Sequence, residues 1–209
     1  YFHQDLDGVV SALGMKNYLE NYGIEVIGSH VIQYGDKEFS VKKPDASGDV
    51  MPVLVDFAHG KPEFKIHTDH HDSQTGVEDD TSTQFKSSRS NVETISGIIS
   101  PTDIFPGGDI DLFRTVDSAD FLMINTVDSA DYAKHDIEPE QVMNLIRDFE
   151  KGEQTYEKKW MLGLLTNKLL LAYKNKPGFL ENLVMNSTPS LMNIYQNINS
   201  YAKEQGFAS

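Results

Sequence analysis

Four short stretches of the chain collect residues that bind cations and move protons. The segment "HQDLDG" at 3–8 places His3, Asp5 and Asp7 at every second position and closes on Gly8. "VLVDFA" at 53–58 carries an apolar run into Asp56. "HTDHHD" at 67–72 holds three of the chain's seven histidines and two aspartates. "VDSAD" occurs twice, inside "TVDSADF" at 115–121 and "TVDSADY" at 126–132, offset by eleven residues.

Each stretch has a chemical reading and a plainer one. On an extended loop, residues two apart project to the same side, which predicts that His3, Asp5 and Asp7 converge. One imidazole and two carboxylates suit Mn²⁺, Mg²⁺ or Fe²⁺ better than a soft metal. Gly8 lets backbone approach a ligand, and the helix that follows turns its N-terminus toward an anion. The plainer reading is a solvated turn with an aspartate N-cap. A lone Asp56 at a strand end is most often a cap as well. A solvated loop is normally built from Ser, Asn, Gly and Lys, so the composition around Asp69, His70 and His71 favours metal or phosphate chemistry. Arg89 and Lys86 could grip a substrate phosphate, although a solvated loop is the commoner outcome. His59 reads as a peripheral group, and Trp160, Tyr156 and Met161 at helical spacing read as core.

The elements that must position these groups alternate strand and helix. Residues 1–3 read as a strand end. Val9, Val10, Leu13, Tyr18, Leu19 and Tyr22 recur at helical spacing before Gly23, a natural C-cap. "IEVIGSHVIQY", "MPVLVDFA" and "EFKIHTDHH" read as further strands. A helix with a serine N-cap is expected from Ser90 to Ile99, a third over "EPEQVMNLIRDFEKG", a long apolar one from Thr155 to Asn175, and a last one over "PSLMNIYQNINSYAKEQG". The expected fold class is therefore α/β: a parallel sheet sandwiched by helices, followed by a helical C-terminal region. In such sheets ligands bind outside the carboxyl ends of the strands, where the polar clusters fall.

The bulk numbers narrow the partners. A net charge of −14 over 209 residues argues against a broad basic clamp on long duplex nucleic acid. Bound cations would reverse that sign locally, so a phosphate substrate is not excluded. Without cysteine there is no thiolate chemistry. No apolar run reaches the ~20 residues of a membrane helix and nothing resembles a signal peptide, so a cytoplasmic setting is the default expectation. The opening on Tyr1-Phe2-His3 suggests that residues upstream are absent from this numbering.

Taken together, the order H-x-D-x-D, D, D-H-H, D resembles the DHH phosphoesterases, a family named after the triplet seen here as Asp69-His70-His71. The resemblance covers about residues 1–135, which would form the catalytic domain, with 136–209 as a helical extension packing on it. It implies two divalent cations, Mn²⁺ with Mg²⁺ as the alternative, and water as nucleophile. Carried over residue by residue, His3, Asp5 and Asp56 would hold one ion. Asp7, Asp56, His70 and a late aspartate would hold the other, with Asp56 bridging. His71 would face the scissile phosphate, and Asp69 would orient the histidines. The family pattern has one late aspartate where this sequence offers Asp117 and Asp128. Asp117 is favoured by the ordered approach of "DIDLFRTV", Asp128 is the alternative, and Asp120 and Asp131 cap or line the site. The implied substrate is a small nucleotide or short oligonucleotide. The runner-up readings are a pyrophosphate or polyphosphate hydrolase and a nucleotide-binding regulator without catalysis. The resemblance allows a homodimer. The "GGGH"-like signature of a nucleic-acid-binding second domain is missing, so that domain is expected to lie outside this chain or to be replaced by the helical tail.

Overall fold

A computed structural model describes residues 1–33, 50–57, 64, 66–71, 83–85, 88–98, 118–129 and 156–206. Five strands form one sheet: β1 (Phe2–His3), β2 (Val31–Ile32), β3 (Val53–Val55), β4 (Ile66–Asp69) and β5 (Thr83–Phe85). Their order is β2-β1-β3-β4-β5, and every pairing is parallel. This is a doubly wound order, whose direction of winding reverses between β1 and β3. The expected α/β class with a parallel sheet flanked by helices is the fold observed.

Strand alternation divides the core. Phe2, Val55 and Ile66 face a large cluster shared with the helices, whereas Ile32 and Leu54 join Phe57 and Phe64 in a smaller one. Helices α1 (Leu6–Asn21) and α2 (Asn91–Ile98) pack on the sheet and on each other. Over α1 lie α3 (Ser118–Asp128), α4 (Tyr156–Tyr173) and α5 (Phe179–Asn186), and α6 (Leu191–Glu204) packs on α4. Helix α4 is apolar on several sides because it lies between α3, α6 and α1. The buried residues of α4, α5 and α6 belong to the same core cluster as those of β1 and α1, so the C-terminal helices complete the α/β body.

Sequence expectations and structure differ at this level. The strand expected over "IEVIGSHVIQY" is Val31–Ile32 among the described residues, paired in parallel with Phe2 and His3 of β1. Glu181 closes part of that edge, accepting the Val31 N–H through its carboxylate and the Ser29 hydroxyl through its carbonyl. Helices α3 and α5 and strand β5 were not anticipated; α5 follows Gly178, whose φ of 74° places it in the left-handed region. The helix expected over "EPEQVMNLIRDFEKG" lies outside the described residues.

Candidate metal centre

The site is assembled at the carboxyl ends of β1, β3 and β4, around the point where the winding reverses. His3 ends β1, and its Nδ1 sits 2.8 Å from Asp5 Oδ2 and 3.8 Å from Asp56 Oδ2. Asp5 uses its other oxygen as the N-cap of α1, accepting from the Gly8 amide at 2.9 Å. The cap and the ligand readings of this aspartate are thus both realised, one per oxygen. Because the helix starts at Leu6, His3, Asp5 and Asp7 do not lie on one extended loop as expected. Asp7 is carried in the first turn of α1, yet that turn still brings it to the site. The turn is possible only with Gly8: a Cβ there would lie 2.3 Å from the His3 carbonyl oxygen.

Asp7 is buried and held by the N-terminus of α2. Its Oδ2 accepts from the Asn91 amide at 2.6 Å and its Oδ1 from the Val92 amide at 3.0 Å. Sequence reading did not find these two amides, although "SNVE" at 90–93 carries the S-x-x-E signature of a helix start. Ser90 accepts from the Glu93 amide at 3.1 Å as that signature implies, while Glu93 turns back to the Arg89 amide and guanidinium. Arg89, a candidate phosphate ligand, is therefore engaged with Glu93 and half exposed.

Asp56 follows β3 with φ of 54°, a left-handed conformation that an aspartate adopts at some cost. It is fully buried, and neither carboxylate oxygen has a hydrogen-bond partner. A buried acceptor left without a donor is costly, and a cation held by these two oxygens would offset that cost.

The triplet after β4 divides its labour. Asp69 Oδ1 accepts from the backbone amides of His70 and His71 and lies 2.6 Å from His71 Nδ1. His70 presents Nδ1 to the Ser88 carbonyl at 3.2 Å, and a carbonyl can only accept, so Nδ1 carries the proton. Nε2 is the ring nitrogen turned into the site. It faces Asp7 Oδ2 at 3.5 Å, Asp56 Oδ1 at 3.3 Å and Asp128 Oδ2 at 3.3 Å. His67, the third histidine of the stretch, is buried in β4 with Nε2 2.8 Å from the Phe57 carbonyl. Burial lowers its pKa, so it is a neutral core histidine.

Asp128 reaches this cluster as the last residue of α3. Gly163 on α4 gives α3 its close seat, since a Cβ there would meet Val127 at 3.3 Å. The eleven-residue offset of the "VDSAD" repeat is taken up by α3, which begins at Ser118 and ends at Asp128. At ~1.5 Å per residue its ends lie ~15 Å apart. Asp117, the late aspartate favoured by the sequence reading, lies outside the described residues, as do Lys86, His59 and Asp131.

The electrostatics are those of crowded carboxylates. Burial, reinforced by the charges of Asp7, Asp5, Asp128 and Asp69, pushes Asp56 well above the usual carboxylate range. Burial and the neighbouring Asp7 and Asp5 push Asp128 to about 9. Asp7 rises to about 6, because burial and Asp5 outweigh His70 and the two amides. Asp5 alone falls: burial opposes ionisation, but His3 and the Gly8 amide prevail. The Asp69 hydrogen bond raises His71 against its own burial.

Three sets of donor atoms, each within 4.8 Å of one another, emerge among the described residues: His3, Asp5 and Asp56; Asp7, His70 and Asp128; Asp56, His70 and His71. Neighbouring ligands of an octahedral ion with bonds of ~2.1 Å are ~3 Å apart and opposite ones ~4.2 Å. The 3.3–3.5 Å separations around His70 Nε2 fall between those values. Asp and His side chains of this structure can therefore hold a metal ion. No protein-family model matches the chain, and no curated protein or solved structure is significantly similar to it.

Proposed function

We propose that the chain is a divalent-cation-dependent phosphoesterase that hydrolyses phosphate esters of small nucleotides or short oligonucleotides at the β1/β3/β4 edge. The observation that carries this reading is the His70 ring. Its Ser88 contact turns Nε2 toward three carboxylate oxygens at 3.3–3.5 Å, a set of donor atoms that a divalent cation would join. Two such ions are proposed, Mn²⁺ first and Mg²⁺ second. His3, Asp5 and Asp56 would hold one, Asp7, Asp56, His70 and Asp128 the other. Their four charges would balance the four carboxylates of Asp5, Asp7, Asp56 and Asp128. When bound, they would supply Lewis acidity for in-line attack of water on a phosphate ester.

The chain's own residues set the rest. Asp69 fixes the rotamer of His71 and favours its protonated form, so His71, about one third exposed, offers a cation to an incoming phosphate oxygen. Ser88 holds His70 in the tautomer that ligates through Nε2. The buried α2 amides keep Asp7 ionisable despite its neighbours.

Turnover of bis-p-nitrophenyl phosphate with Mn²⁺, against an EDTA control, tests the reading. Metal-dependent release of p-nitrophenol is expected, together with faster hydrolysis of a dinucleotide than of pyrophosphate. The reverse preference would make the chain a pyrophosphatase. Mn²⁺ binding without turnover of any of the three would make it a binding protein.

A further inference from the structure

Asp7, His70 and Asp128 come from three different elements, and one hydrogen bond joins the segments that hold them. Ser90 lies between Ser88, whose carbonyl takes the His70 Nδ1 proton, and the Asn91 and Val92 amides that hold Asp7. The Ser90 hydroxyl donates to Asn125 Oδ1 on α3, and both side chains are fully buried. Asn125 precedes Asp128 by three residues, so the two lie on the same side of the last turn of α3. Ser88 adds a contact to Thr94 and donates to the Ser90 carbonyl at 3.0 Å, which stiffens the approach to α2. Asn91 Nδ2 ties the same turn to Thr68 of β4 at 3.1 Å.

We infer that Ser90 and Asn125 are positioning residues whose hydrogen bond sets the distance between Asp128 and the Asp7–His70 pair. Neither touches the cluster's donor atoms. Through this bond the end of α3 is registered on the start of α2, and the three donors close on one point. Removing it leaves His3, Asp5 and Asp56 untouched, because those residues hang on β1, β3 and the α1 cap. The inference rests on the two-cation reading and predicts an asymmetry within it: one ion weakens and the other does not.

The test is Mn²⁺ titration calorimetry on the full chain, with circular dichroism confirming each variant's fold. Asn125→Ala removes the link while sparing the Ser90 cap of α2. It is expected to weaken one of two Mn²⁺ equivalents by ~10- to 100-fold, the range for residues that hold a ligand without touching the ion. The other equivalent stays within about twofold. Ser90→Ala should reproduce the loss, Ser90→Thr should recover most of it, and the double variant should lose no more than either single one. Should Asn125→Ala lose its helical signal, Ser90→Ala carries the test with the same readings. Wild-type affinity for both ions in Asn125→Ala and Ser90→Ala overturns this inference alone, as does equal weakening of both ions. Absence of Mn²⁺ binding by the unaltered chain overturns the metal centre and this inference together.

Discussion

At the scale of single residues, Asp56 concentrates the site's cost and its use. It is buried, its carboxylate oxygens lack hydrogen-bond partners, and it sits in a left-handed backbone conformation. Asp56→Asn should therefore abolish binding of both cations, while raising the melting temperature of the metal-free chain. Elemental analysis paired with thermal melts checks both halves, and full metal occupancy would refute the bridging role. The pH dependence has a definite sign. Asp7, Asp56 and Asp128 have folded pKa values raised above the ordinary 3.8, so between that value and their folded pKa the native state holds protons that the unfolded chain has released. Stability of the metal-free protein must fall as pH rises from about 4 toward 9. Each retained proton contributes ~1.4 kcal/mol per pH unit, or roughly 2–4 °C per kcal/mol for a chain of this size. Saturating Mn²⁺ should flatten that slope, because cations favour the ionised carboxylates. Melts across pH 5–9 with and without Mn²⁺ measure the difference. Composition made these residues legible as candidates, since an H-D-H-H-D loop has few bland explanations. Their separate duties were not legible: the split of Asp5 between cap and His3, or the retirement of His67 into the core, depends on which atom meets which neighbour.

At the scale of elements, the site depends on where helices begin and end. Helix α1 begins immediately after Asp5, and the tight approach of Gly8 to His3 lets it do so. Gly8→Ala should force His3 backbone aside, costing about 1–3 kcal/mol as an overpacked contact and displacing a donor. Urea unfolding and Mn²⁺ titration would both register it; an unchanged midpoint would contradict the close approach. Helix α3 ends on Asp128, which lies 3.3 Å from His70. Asp128→Ala should therefore weaken one Mn²⁺ and lower turnover by more than the ~10- to 100-fold typical of indirect losses, whereas Asp117→Ala should leave both near wild type. Equal loss from both would mean that both copies of the repeat serve the site. The repeat itself could not decide this, because two identical pentapeptides carry identical local signals. Packing of α3 against α4 at Gly163 and against α2 at Ser90 brings Asp128 to the cluster, whereas Asp117 lies outside the described residues. Periodicity found α1, α2, α4 and α6, whereas α3, α5, β5 and the shortened β2 escaped it because tertiary neighbours, rather than local pattern, set their extents.

At the scale of the whole molecule, the net charge of −14 limits what the site can hold. Each phosphate contact on a long strand normally engages a Lys or Arg and releases a counterion. Two cations would offset charge only near the scissile phosphate, and base stacking would add ~1–3 kcal/mol for each of a few bases. On a single-stranded series of two to twenty nucleotides at fixed salt, kcat/KM should fall with length; a steady climb would mark a processive exonuclease instead. Among the described residues, no helix is long and apolar enough to cross a membrane.

The hydrogen bond from the Leu6 amide to Asn167 on α4 spans 161 positions at 3.1 Å, and it ties the His3–Asp7 turn to a helix made much later. Translation at ~5–20 residues per second separates the emergence of these two partners by about 8–32 s. Throughout that interval the His3–Asp7 turn has left the ribosome while Val9, Val10 and Leu13 still await the helices that bury them. The candidate ligands of this turn are thus made early and fixed in place late, and the nascent protein passes a long stage in which an acidic turn is joined to a helix whose apolar face is still uncovered.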